Sequence, residues 1–189
     1  MALREAAFRS RLKLDAVTWL DTMLLTGLRY VEAQRLQGNP DWFDGRFIHI
    51  PEMKLFRVRR QRERWVILNP RGRAVVPYFL YKTKKLPSWR GLSDNLKRWA
   101  KAAGLNPTGL SPKTTRKTWE SWLVAIYPHL TVAILRSQGH TTRTALDHYI
   151  GIPFTRVDRL EMLEWVEGWD MAVRSTQPLD GLPGWGYGA

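Results

Sequence analysis

Four stretches of the chain carry side chains able to act on a phosphate. They are Arg29 in TGLRYVEAQRL, Lys54 in RFIHIPEMK, Lys113 and Arg116 in SPKTTRKTW, and His140 followed nine residues later by Tyr149 in SQGHTTRTALDHY. Breaking a phosphodiester requires a nucleophile, a proton donor for the departing oxygen, and cations around the two non-bridging oxygens. The pentacovalent transition state carries more negative charge than the ground state, so guanidinium groups fixed in advance stabilise it preferentially. Arginine suits that task because its planar fork donates two parallel hydrogen bonds and stays charged. Arg29 and Arg116, each near a predicted helix start, could clamp one phosphate from both sides, and such a set needs neither metal nor cofactor. A tyrosine such as Tyr149 is one side chain that can act as a nucleophile. A phenol with a pKa of about 10 is ionised in only roughly 0.1% of molecules at neutral pH, a handicap near 4 kcal/mol that arginines or a general base must offset.

Taken singly, each of these residues has a plainer explanation. Arg29 fits a surface arginine at a helix start, and Lys54 fits one more solvated cation among thirty basic residues. His140 after Gly139 fits a helix cap, and Tyr149 beside His148 fits half-buried packing. Lys113 and Arg116 are less easily dismissed, because cations near a helix N-terminus oppose its dipole unless an anion joins them. His49 and His129 read as structural, since no helical or hairpin spacing pairs the histidines as metal ligands. Glu32, Asp147 and the other acids show no paired arrangement for carboxylate chemistry.

The elements that must position these groups follow from apolar spacing. Residues 14–25 predict a helix closed by Gly27, and a second short helix runs from Arg29 to about Leu36. RFIHI, RWVILN and the weaker AVVPYF predict three strands of a small antiparallel sheet. From Ser93 onward the pattern is helical. Ser93 is the predicted cap of SDNLKRWAKAA, and Gly104 closes that helix. A long helix starts near Pro112–Thr114, TVAILRSQ ends at Gly139, TTRTALDHYI forms another helix, and a last one covers about Thr155 to Val173. The ten tryptophans are expected in the core and at interfaces.

Composition sets the frame. The 189 residues suffice for one well-buried domain, predicted over residues 1–174, with a Pro- and Gly-rich tail at 175–189 that is flexible or docks as an arm. Lys and Arg exceed Asp and Glu by thirteen, and the surplus is spread along the chain, which points to a polyanionic partner. Cysteine is absent, which removes disulfides and thiolate metal sites and suits a cytoplasmic protein. No apolar run approaches the roughly 18–20 residues of a bilayer span, and the N-terminus lacks a secretory signal pattern.

From about Leu14 to Val173 the chain resembles the catalytic domain of the tyrosine recombinase (phage integrase) family. TGLRYVEAQRL is similar to the family's first box, which implies that Arg29 contacts the scissile phosphate and that Glu32 helps hold it. Lys54, the only lysine between Lys13 and Lys82, matches the family's lysine in the turn after the next strand, the candidate general acid. SPKTTRKTW matches the second box, His-x-x-Arg, with Arg116 at the arginine and Lys113 in place of the histidine, a variant similar to that of some archaeal virus integrases. That departure moves the role of proton acceptor to His140 or water and makes Lys113 a phosphate donor. The third box places His140 and Tyr149 at the family spacing.

The resemblance implies an α+β, mainly α fold: a helical catalytic domain with a small three-stranded antiparallel sheet. It implies a site-specific recombinase that cuts and rejoins double-stranded DNA through a 3′-phosphotyrosyl bond at Tyr149, as a tetramer, without cofactor. The cytoplasm, or the host cytoplasm or nucleoid for a viral or plasmid protein, is the expected location. The family's N-terminal DNA-clamping domain has no counterpart before Arg29, so the chain is expected to be a shortened or minimal member that binds DNA weakly and with steep salt dependence. A type IB topoisomerase-like relaxing enzyme shares the same residues, and a non-catalytic DNA-binding protein on the same scaffold is the alternative outside enzymology.

Overall fold

Helix α2 (Lys13–Thr26) buries every residue from Ala16 to Met23, with Leu25 and Thr26; a helix hidden around its whole circumference belongs at the centre of a fold. The computed structural model describes residues 2–54, 60–61, 63–139 and 154–175, with the backbone alone at 53–54 and 60–61. Against α2 pack α1 (Ala2–Phe8), α4 (Pro70–Tyr81) and α6 (Pro112–Ile126). Helix α1 was not foreshadowed by the sequence pattern. It buries only Ala7, and Arg4 fastens it to α2 through Nε, 3.0 and 2.9 Å from the two Asp21 oxygens.

Helix α3 (Tyr30–Gly38) follows α2 after a short turn, and a 3-10 turn at Pro40–Trp42 leads into the sheet. Strand β1 (Phe47–Ile50) pairs antiparallel with β4 (Arg64–Ile67), Phe47 opposite Ile67 and Ile50 opposite Arg64. Beyond them β2 (Met53–Lys54) pairs with β3 (Arg60–Gln61), so Lys54 lies on a short strand opposite Arg60 and not in a turn. Alternation divides the β1–β4 ladder between two cores. Ile48, Ile50 and Val66 join Leu28, Val76 and Phe79, while Ile67 joins Trp119, Leu123, Ile134, Trp165 and Trp169. Trp19 and Trp99 are buried as well, in agreement with a core role for the aromatic residues.

The fold class is as expected, mainly helical with a small antiparallel sheet, but the third predicted strand is helical. AVVPYF lies inside α4 despite its β-branched residues. Asn69 caps that helix, its Oδ1 accepting from the Gly72 N–H at 2.9 Å, and Pro70 stands at the first helical position. Val76 and Phe79, one helical turn apart, are wholly buried, each contributing roughly 1.5–3 kcal/mol. Tertiary burial at helical spacing thus overrides local strand preference.

Two further boundaries differ. Helix α5 (Trp89–Ala102) starts at Ser88, whose Oγ accepts from Gly91 N–H at 3.1 Å, while Ser93 is buried within it. Helix α6 begins at Pro112 as expected, and α7 (Thr131–Gln138) ends at Gly139. The last predicted helix is two, α8 (Arg156–Val166) and α9 (Trp169–Arg174). At the break Glu167 leaves the helical region (ψ 135°) and Gly168 is left-handed (φ +76°), and Asn69 Nδ2 donates to the carbonyls of Trp165 (2.7 Å) and Glu167 (3.3 Å) there. The predicted helix TTRTALDHYI and the tail after Ser175 lie outside the described residues. No described helix is long and apolar enough to cross a membrane.

Candidate active site

Glu32 sits in the first turn of α3 and is 1% exposed. A carboxylate so buried needs counter-charge, and it has two arginines. Arg29 donates its backbone N–H to Oε2 at 2.7 Å and Nη1 to Oε1 at 2.8 Å. Arg64 adds Nη1 to Oε1 at 2.8 Å and Nη2 to Oε2 at 2.7 Å. Burial by itself raises the Glu32 carboxyl, but the Arg64 hydrogen bonds and charge, followed by Arg29, outweigh it and hold the pKa at about 2.

Arg116, one turn into α6, is 7% exposed. Its Nη1 donates to the Gly27 carbonyl at 2.7 Å, and its Nη2 donates to the Gln138 carbonyl. Burial, then the charges of Arg29 and Arg64, push its pKa down to about 9 against the opposing pull of Glu32 and Glu120. The arginines converge on one turn. Arg64 Nε reaches the Ser137 carbonyl at 3.1 Å, Arg116 the Gln138 carbonyl, and Arg29 Nη2 the Gly139 carbonyl at 3.4 Å. The first two are the last carbonyls of α7, which lack donors within the helix and form its negative end, and the third belongs to its cap residue. Cations from a turn, a strand and a helix therefore cap them in succession. Gly139 has φ +65° and would bring a Cβ within 2.8 Å of Arg64 Cδ, so the close approach needs glycine.

Arg29 is the exposed member of the set, its side chain 43% accessible. An anion arriving there meets a preorganised cationic edge backed by Arg116. Lys113 is exposed, one turn before Arg116 on α6, and takes no part in the hydrogen bonds joining the described residues of the cluster. Lys54 is described by its backbone alone, on β2, and His140 and Tyr149 lie outside the described residues. The structure thus brings Arg29, Glu32 and Arg116 together and adds Arg64 and the end of α7. The cluster can bind and polarise a phosphate. The Glu32 oxygens are saturated, so the attacking group must come from elsewhere.

Sequence reasoning passed over Arg64, although a signal existed. In RWVILN the period of two puts Arg64 on the face of Val66, and a core-facing arginine requires a buried acid. His49 is structural as read, 2.6 Å from Glu63 and stacked on Trp65. No three His, Asp or Glu side chains gather as a metal site among the described residues. A cavity of about 240 Å³, lined mostly by apolar side chains such as Leu3, Leu20, Leu96 and Trp122, reaches the first turn of α6 at Thr114 and Thr115.

The fold and cluster define a mainly helical domain with a small sheet that gathers arginines at one helix end. The fold is similar to that of the Tn1549 transposon integrase, whose structure was solved in complex with circular intermediate DNA. The likeness has a TM-score of 0.61 at 18% identity and covers 85% of this chain and 61% of that one. This chain therefore spans less than two thirds of that structure, and at this identity the similarity is one of fold. No protein-family model and no curated protein matches the sequence.

Proposed function

We propose that the chain is a tyrosine recombinase catalytic domain that cuts and rejoins double-stranded DNA. The observation that carries this reading is the convergence of Arg29 and Arg116, 87 positions apart, on the end of α7, within a fold similar to that of an integrase. Arg29 and Arg116 hold the non-bridging oxygens of the scissile phosphate. The Tyr149 hydroxyl attacks phosphorus, its proton passing to His140 or water, and a 3′-phosphotyrosyl bond forms as the bond to the 5′ oxygen breaks. Lys54 protonates that leaving oxygen, and Lys113 donates to the phosphate, replacing the family's histidine. Attack by a 5′-hydroxyl of a second duplex reverses the step and needs no cofactor, because the phosphotyrosyl ester conserves the bond energy.

Residues 1–174 form the catalytic domain in this reading, and exchange between two duplexes calls for four protomers. The tail from 175 to 189 docks on a neighbour or restrains Tyr149, so its deletion changes assembly or cleavage rate; unchanged behaviour in both removes that role.

The test is a pool of duplexes nicked near varied candidate sites, which trap covalent protein–DNA adducts. Adduct with the wild type, lost in Tyr149→Phe and strongly reduced in Arg29→Ala, supports the enzyme. DNA binding without adduct at any site supports the non-catalytic scaffold.

A further inference from the structure

Arg64 opens β4 on the strand face of Val66, and its side chain is 6% exposed. Its fork is committed: Nη1 and Nη2 each hold one Glu32 oxygen, and Nε holds the Ser137 carbonyl. With all three of its nitrogens held inside the fold, Arg64 acts on its neighbours.

We infer that Arg64 is a positioning residue for Arg29: it fixes the Glu32 carboxylate against the Arg29 guanidinium and ties that carboxylate to the end of α7. The inference rests on the reading of Arg29 as a phosphate ligand. Each Glu32 oxygen accepts one donor from Arg29 and one from Arg64, so the carboxylate plane is set by two planar partners at once. Without Arg64, the carboxylate would keep only its two bonds from Arg29, one of them from the backbone. The Ser137 contact carries the same guanidinium to the turn where Arg116 bonds Gln138, so Arg64 registers the two phosphate-binding arginines on one frame. The Arg64 stem also fills the space beside Gly139.

The charges around Glu32 give this role a signature. Arg29 faces it from its own turn and Arg64 from β4, while Arg116 interacts with it from α6 and itself feels Glu120. Burial pushes the Glu32 carboxyl upward and Arg64 is the larger opposing influence. Without Arg64 the carboxyl titrates at higher pH, and once protonated it releases Arg29.

The experiment compares wild type, Arg64→Met and Arg64→Lys for thermal unfolding, duplex affinity, and the adduct rate with the nicked duplex pool at saturating protein, from about pH 5 to about pH 8. Arg64→Met should lower the adduct rate on the order of 100-fold with affinity nearly unchanged, and add an acid limb absent from wild type. Arg64→Lys keeps the charge but not the fork, so it should show no new acid limb and a rate about 10-fold down. A folded Arg64→Met protein with the wild-type rate and pH profile overturns the inference. If that variant fails to fold, Arg64→Lys decides, and a wild-type rate in it is equally fatal. Absence of adduct from wild type sinks the DNA-cleavage reading and this inference with it, whereas adduct indifferent to Arg64 sinks this inference alone.

Discussion

Arg116 donates Nη1 to the carbonyl oxygen of Gly27 at 2.7 Å, joining residues 89 positions apart. Its Nη2 serves Gln138, so one guanidinium ties together the C-terminal ends of α2 and α7. Both ends turn through glycines of positive φ, Gly27 at 59° and Gly139 at 65°. At Gly27 the requirement is also steric, because a Cβ would run into the Gln138 side-chain amide. The arginine read from sequence as a phosphate ligand is therefore part of the framework of its own site.

Replacing Arg116 by Met should destabilise the domain. Two carbonyls lose their donor, and each buried acceptor left without one costs roughly 1–3 kcal/mol, offset in part because a buried charge also disappears. Urea unfolding should show a midpoint well below wild type. An unchanged midpoint contradicts the tie between the helix ends.

Glu32 makes stability depend on acid. Its folded pKa, about 2, lies below the ordinary 4.5, so the unfolded chain takes up the proton first. Its contribution is present above pH 4.5 and drains away as pH falls toward 2, a change of a few kcal/mol. Glu32→Gln should flatten this slope. At neutral pH it should also cost about 3–5 kcal/mol, because Arg64 is left a buried cation without a counter-ion. Thermal unfolding across this range checks both, and a variant as acid-sensitive as wild type refutes the assignment.

Asn69 serves two elements, capping α4 through Oδ1 and binding the end of α8 through Nδ2. Asn69→Ala should therefore cost more than an ordinary cap, roughly 2–4 kcal/mol against about 1 for a cap alone. Asn69→Asp keeps the cap acceptor but sets a buried carboxylate oxygen against the Trp165 and Glu167 carbonyls, so it should cost at least as much as Asn69→Ala. Denaturant midpoints of the two variants supply the comparison, and an Asn69→Asp midpoint near wild type speaks against the dual role.

The sequence disclosed what is local. Apolar spacing in residues 14–25 and the glycines at 27 and 139 sufficed for α2 and for the end of α7; Arg29 and Arg116 were named for their charge and Glu32 through the family resemblance, and the structure groups the three. What escaped notice depends on contacts distant in sequence. AVVPYF became helix because Val76 and Phe79 find a core at helical spacing, although Asn69–Pro70 already marked a helix start. The break between α8 and α9 falls at Gly168, a local signal passed over, and Asn69, almost a hundred residues earlier, binds the carbonyls beside it. Arg64 looked like one cation among many, since its burial is intelligible only once Glu32 of α3 stands opposite.

Peptide mapping of the protein after reaction with a nicked duplex and exhaustive nuclease digestion tests the central claim most directly. The account predicts a residual nucleotide mass on the peptide containing Tyr149, attached through its phenolic oxygen, and strongly reduced when Arg29 is replaced by alanine. A nucleotide on any other residue, or adduct formation indifferent to Arg29, would contradict it.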